Sequence, residues 1–335
     1  MFYGIGIFFV FLVLFISFFY PIPLDILNSD IGRHLLLGKI IVSTGNVPTV
    51  NLLSYTYPDY PFINTHWFSQ VIFYVWHSTF GFDGLIFLSV LLATATLSLV
   101  FIYSSRKFDI FTAILIALIY LQVISGRTQV RPELFSFLFL AIFIVILYKY
   151  REKYTKWIFA LIPLSLLWVN THIYFFNGIV VLALFLIDAL ISKRGKYNSK
   201  SFLTLFSVTI ASGLVILWNP HFIKGALYPL FVLNEYAVPV RENISFFSAL
   251  NSYNKPSTIF FQIAVGILWI SLLISKKRMT PIDFLLSAFF TFMGFFAIRN
   301  FPLFVFGTFI PAVKAGSYII NSIGIELYSR DCQLG

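Results

Sequence analysis

Long apolar runs alternate with short polar segments along most of the chain. An α-helix of about 20 apolar residues crosses a hydrocarbon core of about 30 Å, whereas a transmembrane β-strand needs about 10 residues. The runs have the helical length, so the pattern predicts an all-α polytopic membrane protein with about ten transmembrane helices. We expect these spans at residues 4–25, 84–103, 109–126, 132–150, 156–172, 174–192, 202–219, 257–275, 281–298 and 301–320.

Two long polar segments interrupt this pattern, at residues 26–83 and 220–256. In the first, the residue pattern predicts a helix over 31–43, a turn-rich stretch over 45–61 and a second helix over 65–80. In the second, several prolines predict a short helix followed by irregular chain. We expect residues 1–335 to form a single transmembrane domain. The first apolar run carries no signal-peptide features, so we expect it to be retained as a span.

Composition agrees with the hydropathy pattern and excludes most soluble classes. The 335 residues are 59% hydrophobic and 11% charged, against roughly 25% charged in soluble domains. Too little polar surface remains to cover a water-soluble globule, which sets aside cytosolic enzymes and nucleic-acid-binding domains. The single cysteine, Cys332, excludes a disulfide or a cysteine-based metal site within one chain.

Basic residues mark one side of the predicted membrane. The formal net charge is +10, and lysine and arginine are enriched in short cytoplasmic loops. The predicted loops at 104–108, 149–156, 193–200 and 276–280 hold most of them, which places both termini in the cytoplasm. All five histidines then fall outside, with both long loops: His34, His66, His77, His172 and His221.

The centres of the predicted spans are poor in charge. Transporters that couple to ions place ionisable groups near the midplane. Here Asp109, Asp188 and Asp283 lie near the predicted cytoplasmic ends. We expect Lys314, toward the inner end of the last span, to extend its ammonium group to the membrane surface. An ion relay is therefore disfavoured.

One acidic residue at the outer end of the first span is our candidate catalytic base. Asp30 begins the predicted helix over 31–43, and a carboxylate at the level of the lipid headgroups can take the proton from an acceptor hydroxyl. The alternative is that Asp30 only caps that helix. Asp25, five residues upstream, is a competing acid.

Cations on the same side are candidates for binding the phosphate of a lipid-linked donor. Arginine and histidine can neutralise charge that develops on a phosphate leaving group. The predicted substrate-binding residues are His34, His66, Arg127, Arg131, His172, His221, Arg241 and Arg299. We expect no metal, because no pair of histidines at ligand spacing with an acidic third ligand is present.

Two further features on this side have an interpretation that does not involve catalysis. The second loop helix carries a polar stripe that faces either a cavity or the lipid headgroups: His66, Gln70, Tyr74 and His77. Trp168 and Trp218 each end a predicted span, and we interpret them as interfacial anchors.

The first loop resembles that of a known superfamily. Its distinctive runs are Asp30-Ile-Gly-Arg-His34, Gly45-Asn-Val-Pro48, Asn51-Leu-Leu-Ser54-Tyr-Thr56 and Pro61-Phe-Ile-Asn64-Thr-His66-Trp67. Shorter matches are Arg131-Pro132-Glu133, Trp168-Val-Asn170-Thr-His172, Trp218-Asn219-Pro220 and Arg299-Asn300-Phe-Pro-Leu. Together they are similar to a group of prokaryotic polytopic proteins of the GT-C glycosyltransferase superfamily.

The resemblance implies a GT-C-like helical bundle with interfacial helices in the first outer loop. It implies transfer of a sugar from a polyprenyl-phosphate-linked donor at the extracytoplasmic face, with Asp30 as the acid carried over and no metal or other cofactor. Two acids separated by one residue, which several GT-C enzymes share, are absent here. The alternatives are a non-catalytic scaffold and a lipid-glycan transporter. Membrane lipids are the other expected partners, and the sugar, the acceptor and the oligomeric state stay open.

Overall fold

The computed structural model describes residues 2–19, 30–125, 127, 129–192, 197–232, 241–252 and 256–334. Within these residues the regular structure is helical, apart from one isolated bridge between Val50 and Pro61. The α-helices are α1 (Phe2–Phe19), α2 (Ile31–Thr44), α3 (Trp67–Lys107), α4 (Ile110–Ile124), α5 (Glu133–Glu152), α6 (Leu161–Thr171), α7 (Phe176–Ile191), α8 (Ser199–Val215), α9 (Phe222–Phe231), α10 (Phe246–Ser252), α11 (Pro256–Ile274), α12 (Pro281–Phe296) and α13 (Phe301–Leu334). Short 3₁₀ helices occur at Lys156–Ala160, Ile173–Phe175, Arg241–Asn243 and Ile298–Asn300.

Five helical segments of the described chain are long and apolar enough to cross a membrane. They are Trp67–Lys107, Glu133–Glu152, Ile173–Ile191, Pro256–Ile274 and Ile298–Ser322. The other five predicted spans coincide with shorter apolar helices, at Tyr3–Ile16, Ile110–Ile124, Lys156–Thr171, Ser199–Val215 and Pro281–Phe296. The all-helical class is thus confirmed for the described residues, and the five long apolar segments are consistent with a membrane protein. The number of ten spans stays a prediction.

The first long loop has the predicted order of elements. Helix α2 occupies 31–44 and ends at Gly45, whose φ of 71° lies in the left-handed region that favours glycine. Irregular chain follows, and α3 begins at Trp67. Gly81, with φ 67° and ψ −162°, interrupts α3. These dihedrals are not helical, so Gly81 separates the predicted loop helix from the predicted second span. Glycine suits this position because a residue with a side chain rarely adopts that conformation.

The chain forms two compact units. Unit 1 contains residues 1–96, 128–186 and 195–238, and unit 2 contains residues 97–127, 187–194 and 239–335. In unit 1, α6 packs against α5 and α8. Trp168 of α6 is fully buried, with its ring edge-to-face against Phe139 and Phe143. Gly178 permits the close approach of α7, since a Cβ atom there would lie 2.9 Å from the Trp168 ring.

Unit 2 is built around α13, which packs against α4, α11 and α12. Aromatic rings fill the contact, including Phe261 stacked on Phe301 at 4.4 Å between ring centroids. The prediction that Lys314 extends to the membrane surface is wrong. Its Nζ lies 2.5 Å from Oδ2 of Asp283, and both residues are buried. A buried carboxylate at the start of α12 needs a compensating cation, and Lys314 supplies it.

Candidate functional site

Asp30 stands at the start of α2 with an exposed carboxylate. Its side chain occupies the N-cap position but accepts no capping hydrogen bond. Instead Oδ2 lies 3.4 Å from Nη2 of Arg33, and the two side chains are 60% and 45% exposed. The interpretation of Asp30 as only a helix cap therefore lacks the hydrogen bond that defines one. Asp25, the competing acid, lies outside the described residues.

One turn along α2, a histidine ring enters a buried cluster. The ring centroid of His34 lies 5.9 Å from that of His66, and the His66 ring lies 4.9 Å from that of His172. His34 and His172 are 4% and 3% exposed, while His66 is half-buried. Residues from three distant parts of unit 1 thus form what we call the histidine cluster: His34, His66 and His172.

Two amide side chains extend the cluster toward the second long loop. Nε2 of Gln70 lies 3.4 Å from Nδ1 of His34. Oε1 of Gln70 accepts a hydrogen bond of 2.8 Å from the side-chain amide of Asn64. The backbone N–H of Asn64 in turn donates to Nε2 of His221 at 3.1 Å. His221 is therefore linked to His34 through Asn64 and Gln70, both of which are buried.

The His172 ring is fixed by Ser136 on α5 and by Tyr174 in the 3₁₀ helix that follows α6. Nδ1 of His172 lies 2.9 Å from Oγ of Ser136 and accepts from the backbone N–H of Tyr174 at 3.3 Å. An N–H group can only donate, so Nδ1 carries no proton and the neutral ring holds its proton on Nε2. Ser136 also accepts a 2.8 Å hydrogen bond from Nε1 of Trp168. The interpretation of Trp168 as an interfacial anchor is wrong, because its indole N–H finds this partner in the core.

Burial and neighbouring charge lower the pKa of two histidines of the site, His34 and His221. Burial lowers the pKa of His34 well below its ordinary value, and the charges of His66, Arg33 and Arg131 lower that pKa further. Burial also lowers the pKa of His221, with a smaller contribution from Lys224. His34 is consequently neutral at pH 7, and the permanent positive charges beside it are those of Arg33 and Arg131.

The site contains groups that can transfer protons and groups that can bind anions. No family model, curated protein or solved structure matches this chain. Across the described residues, no group of three His, Cys, Asp or Glu side chains is arranged to hold a metal ion. An exposed carboxylate, two guanidinium groups and neutral imidazoles are suited to proton transfer and to phosphate binding.

The remaining predicted cations belong to unit 2. Nη1 of Arg127 lies 3.3 Å from Oε2 of Glu242, and Nη1 of Arg299 donates to Oδ1 of Asn243 at 2.9 Å. Both arginines thus meet the 3₁₀ helix that begins at Arg241. The side chain of Arg241 lies outside the described part of the chain.

Three polar residues of the network were not among the predicted site residues. Asn64 lies in the first-loop run that carries the resemblance, and Gln70 lies on the polar stripe with His66, so both had a signal in the sequence. Ser136 had none, because it is a single hydroxyl within an apolar run. On the same stripe, Tyr74 is half-buried and the His77 ring packs against Phe82 at 4.5 Å.

Proposed function

We propose that the protein is a membrane glycosyltransferase that transfers a sugar from a polyprenyl-phosphate-linked donor to an acceptor hydroxyl. The supporting observation is the exposed Asp30–Arg33 pair, one helical turn from the buried histidine cluster. A general base must reach solvent-accessible substrate, and its orientation must be fixed by a rigid support. Helix α2 supplies both features, since its start is exposed and its His34 side is buried.

In the proposed reaction, Asp30 takes the proton from the acceptor hydroxyl. The acceptor oxygen attacks the anomeric carbon of the sugar from the face opposite the phosphate. The bond between that carbon and the phosphate oxygen breaks, and the lipid phosphate leaves with the bonding electrons. Arg33 and Arg131, with the half-buried His66 and His221, would bind the phosphate as its charge develops. The reaction inverts the anomeric configuration and uses no metal.

The buried residues take a supporting role in this proposal. His34 and His172 are too deeply buried to contact a substrate in the observed arrangement, so they would hold α2 and His66 in place. The phosphate-binding roles of Arg127, Arg241 and Arg299 stay predictions. The ten-span GT-C-like bundle, the extracytoplasmic site, the cytoplasmic termini and the prokaryotic cytoplasmic membrane also belong to the proposal.

The test is sugar transfer by the purified full chain in proteoliposomes that also contain a membrane extract from cells lacking the protein, which supplies the acceptor hydroxyls. The donors are polyprenyl-phosphate sugars with different hexoses and pentoses, and the readout is loss of the intact donor measured by mass spectrometry. Asp30→Asn removes the base without changing side-chain size, and we expect a loss of 100-fold or more, within the range for general-base catalysis of about 10²–10⁴.

Asp59→Asn is the matched control for this test. Asp59 is an exposed acid in the same first loop, so its substitution makes the same charge change away from α2, and we expect wild-type transfer. Equal transfer by the Asp30 variant and the wild-type protein would refute the assignment of the base.

A non-catalytic scaffold is the second candidate, and the burial of the cluster favours it. His34 and His172 have protein partners and little exposure, as expected of polar groups that specify packing. A scaffold would turn over none of the donors at any rate above that of empty liposomes.

A further inference from the structure

A cleft at one end of unit 2 carries a cluster of positive charge. Its volume is about 410 Å³, and it lies between the end of α11, the turn that follows and the middle of α13. Lysine, arginine and hydroxyl side chains line it: Lys276, Lys277, Arg278, Tyr318 and Ser322. This volume falls within the range of about 300–1,000 Å³ that is typical of small-molecule sites.

The turn that bears the cations is fixed to α13. Oγ of Ser275 donates to the carbonyl oxygen of Ala315 at 3.0 Å, and Ser275 is buried. The backbone N–H of Arg278 donates to the carbonyl oxygen of Ser275 at 2.8 Å, which closes the turn. The guanidinium group of Arg278 lies 5.4 Å from the centroid of the Tyr318 ring. The backbone of the turn and the side chain of Arg278 are thus held by contacts with α13.

The described residues that line the cleft carry positive charge without an acidic partner among them. Lys276, Lys277 and Arg278 are all exposed, and no acidic side chain is among the described residues that line the cleft. Three like charges placed close together repel one another, and a bound anion relieves that repulsion. The chemistry of the cleft therefore suits a phosphate group.

The position of the cleft relates it to the membrane surface. Two segments long and apolar enough to span, Pro256–Ile274 and Ile298–Ser322, end at its lining residues. Just before the turn, α11 exposes an apolar face on which Ile270, Leu273 and Ile274 are 60%, 59% and 66% exposed. Residues three and four positions apart share one side of a helix. An acyl chain can lie along this face while its headgroup reaches the cations.

We propose that the cleft is a binding site for the phosphate headgroup of an anionic membrane phospholipid. The headgroup contacts Lys276, Lys277 and Arg278, and one acyl chain packs on the exposed face of α11. The site is independent of the proposed glycosyl transfer. Lysine and arginine at the end of a span interact with anionic lipids, each contributing to affinity.

The test uses the purified full chain in neutral detergent, titrated with phosphatidylglycerol and followed by native mass spectrometry. The triple variant Lys276→Gln, Lys277→Gln and Arg278→Gln should weaken the tightest lipid-binding event by about 100-fold. Lys277→Gln alone should weaken it by about 5-fold. The matched control is Lys149→Gln, Lys153→Gln and Lys156→Gln, which removes three exposed positive charges from unit 1 and should leave that event unchanged.

Phosphatidylcholine of the same chain length and soluble glycerol 3-phosphate distinguish the ligand classes. We expect phosphatidylglycerol to bind more tightly than either compound. Equal loss of binding in the two triple variants would overturn the site. Equal binding of phosphatidylglycerol and phosphatidylcholine would overturn the role of charge. Binding of glycerol 3-phosphate as tight as that of the lipid would overturn the membrane source.

Discussion

The contact between α2 and α3 can be tested at a single glycine. A Cβ atom on Gly38 would overlap the carbonyl oxygen of Gln70 and would lie 2.8 Å from Cβ of Tyr74. The obstacle is backbone, which cannot rotate aside as a flexible side chain does. Gly38→Ala should therefore separate the two helices. His34 lies one turn earlier on α2, so the same separation breaks its 3.4 Å contact with Gln70.

The magnitude follows from three terms. Overpacking a tight contact costs about 1–3 kcal/mol, loss of a hydrogen bond adds about 0.5–1.5 kcal/mol, and the better helix propensity of alanine offsets about 0.5–1 kcal/mol. We expect Gly38→Ala to lower the free energy of unfolding by about 0.5–4 kcal/mol. The matched control is Gly32→Ala in the same helix, where nothing lies within 4 Å of the added Cβ. Alanine is the better helix former, so the control should be neutral or more stable by up to about 1 kcal/mol.

Denaturant unfolding of the purified protein in detergent, followed by tryptophan fluorescence, compares the two variants directly. The expected result is opposite behaviour, with Gly38→Ala destabilised and Gly32→Ala unaffected or stabilised. If the two variants unfolded at the same denaturant concentration, the close packing of α2 against α3 would be refuted. The proposed support for Asp30 would then fail with it.

Two further predictions concern buried charge. Lys314→Met leaves the carboxylate of Asp283 buried without its cation and should cost about 3 kcal/mol in unfolding free energy; adding Asp283→Asn should recover part of that loss, whereas strictly additive losses would contradict the coupling. Because burial lowers the pKa of His34, the unfolded state binds a proton more readily than the folded state below about pH 6.5. Titration of His34 therefore leaves the free energy of unfolding unchanged above that pH and lowers it on acidification, by at most about 1.4 kcal/mol per pH unit. Melting curves at pH 7.5 and 5.5 should show a weaker pH dependence for His34→Asn, and an unchanged dependence would contradict the burial of this ring.

Local patterns in the sequence predicted much of the architecture. The apolar runs located the helices because the length of a run and the need to satisfy backbone hydrogen bonds in lipid leave few alternatives. The predicted end of α2 near residue 43 and the predicted break between residues 80 and 84 agree with the structure, in which Gly45 and Gly81 adopt positive φ. Grouping the histidines on one side also anticipated a real contact, since His66 and His172 meet although 106 positions separate them.

Contacts between remote residues limited the prediction of the site. A tryptophan at the end of an apolar run has the same pattern whether it anchors at the interface or is buried. In the folded chain Trp168 is buried, and its indole N–H donates to Ser136 of the neighbouring helix α5. The sequence around Trp168 does not indicate this contact. Lys314 posed the same problem, because an extended lysine and one paired with Asp283 look alike in the sequence. Hydropathy records how apolar a segment is and carries no information about which polar groups meet.

The measurement that tests the central claim most directly is the pool of lipid-linked sugars in cells that lack this protein. The proposed function predicts that one polyprenyl-phosphate sugar accumulates, and that expression of the wild-type chain or Asp59→Asn returns its level to normal while Asp30→Asn does not. Identical lipid-linked sugar pools in all four strains, measured by mass spectrometry with comparable protein levels in the membrane, would contradict it.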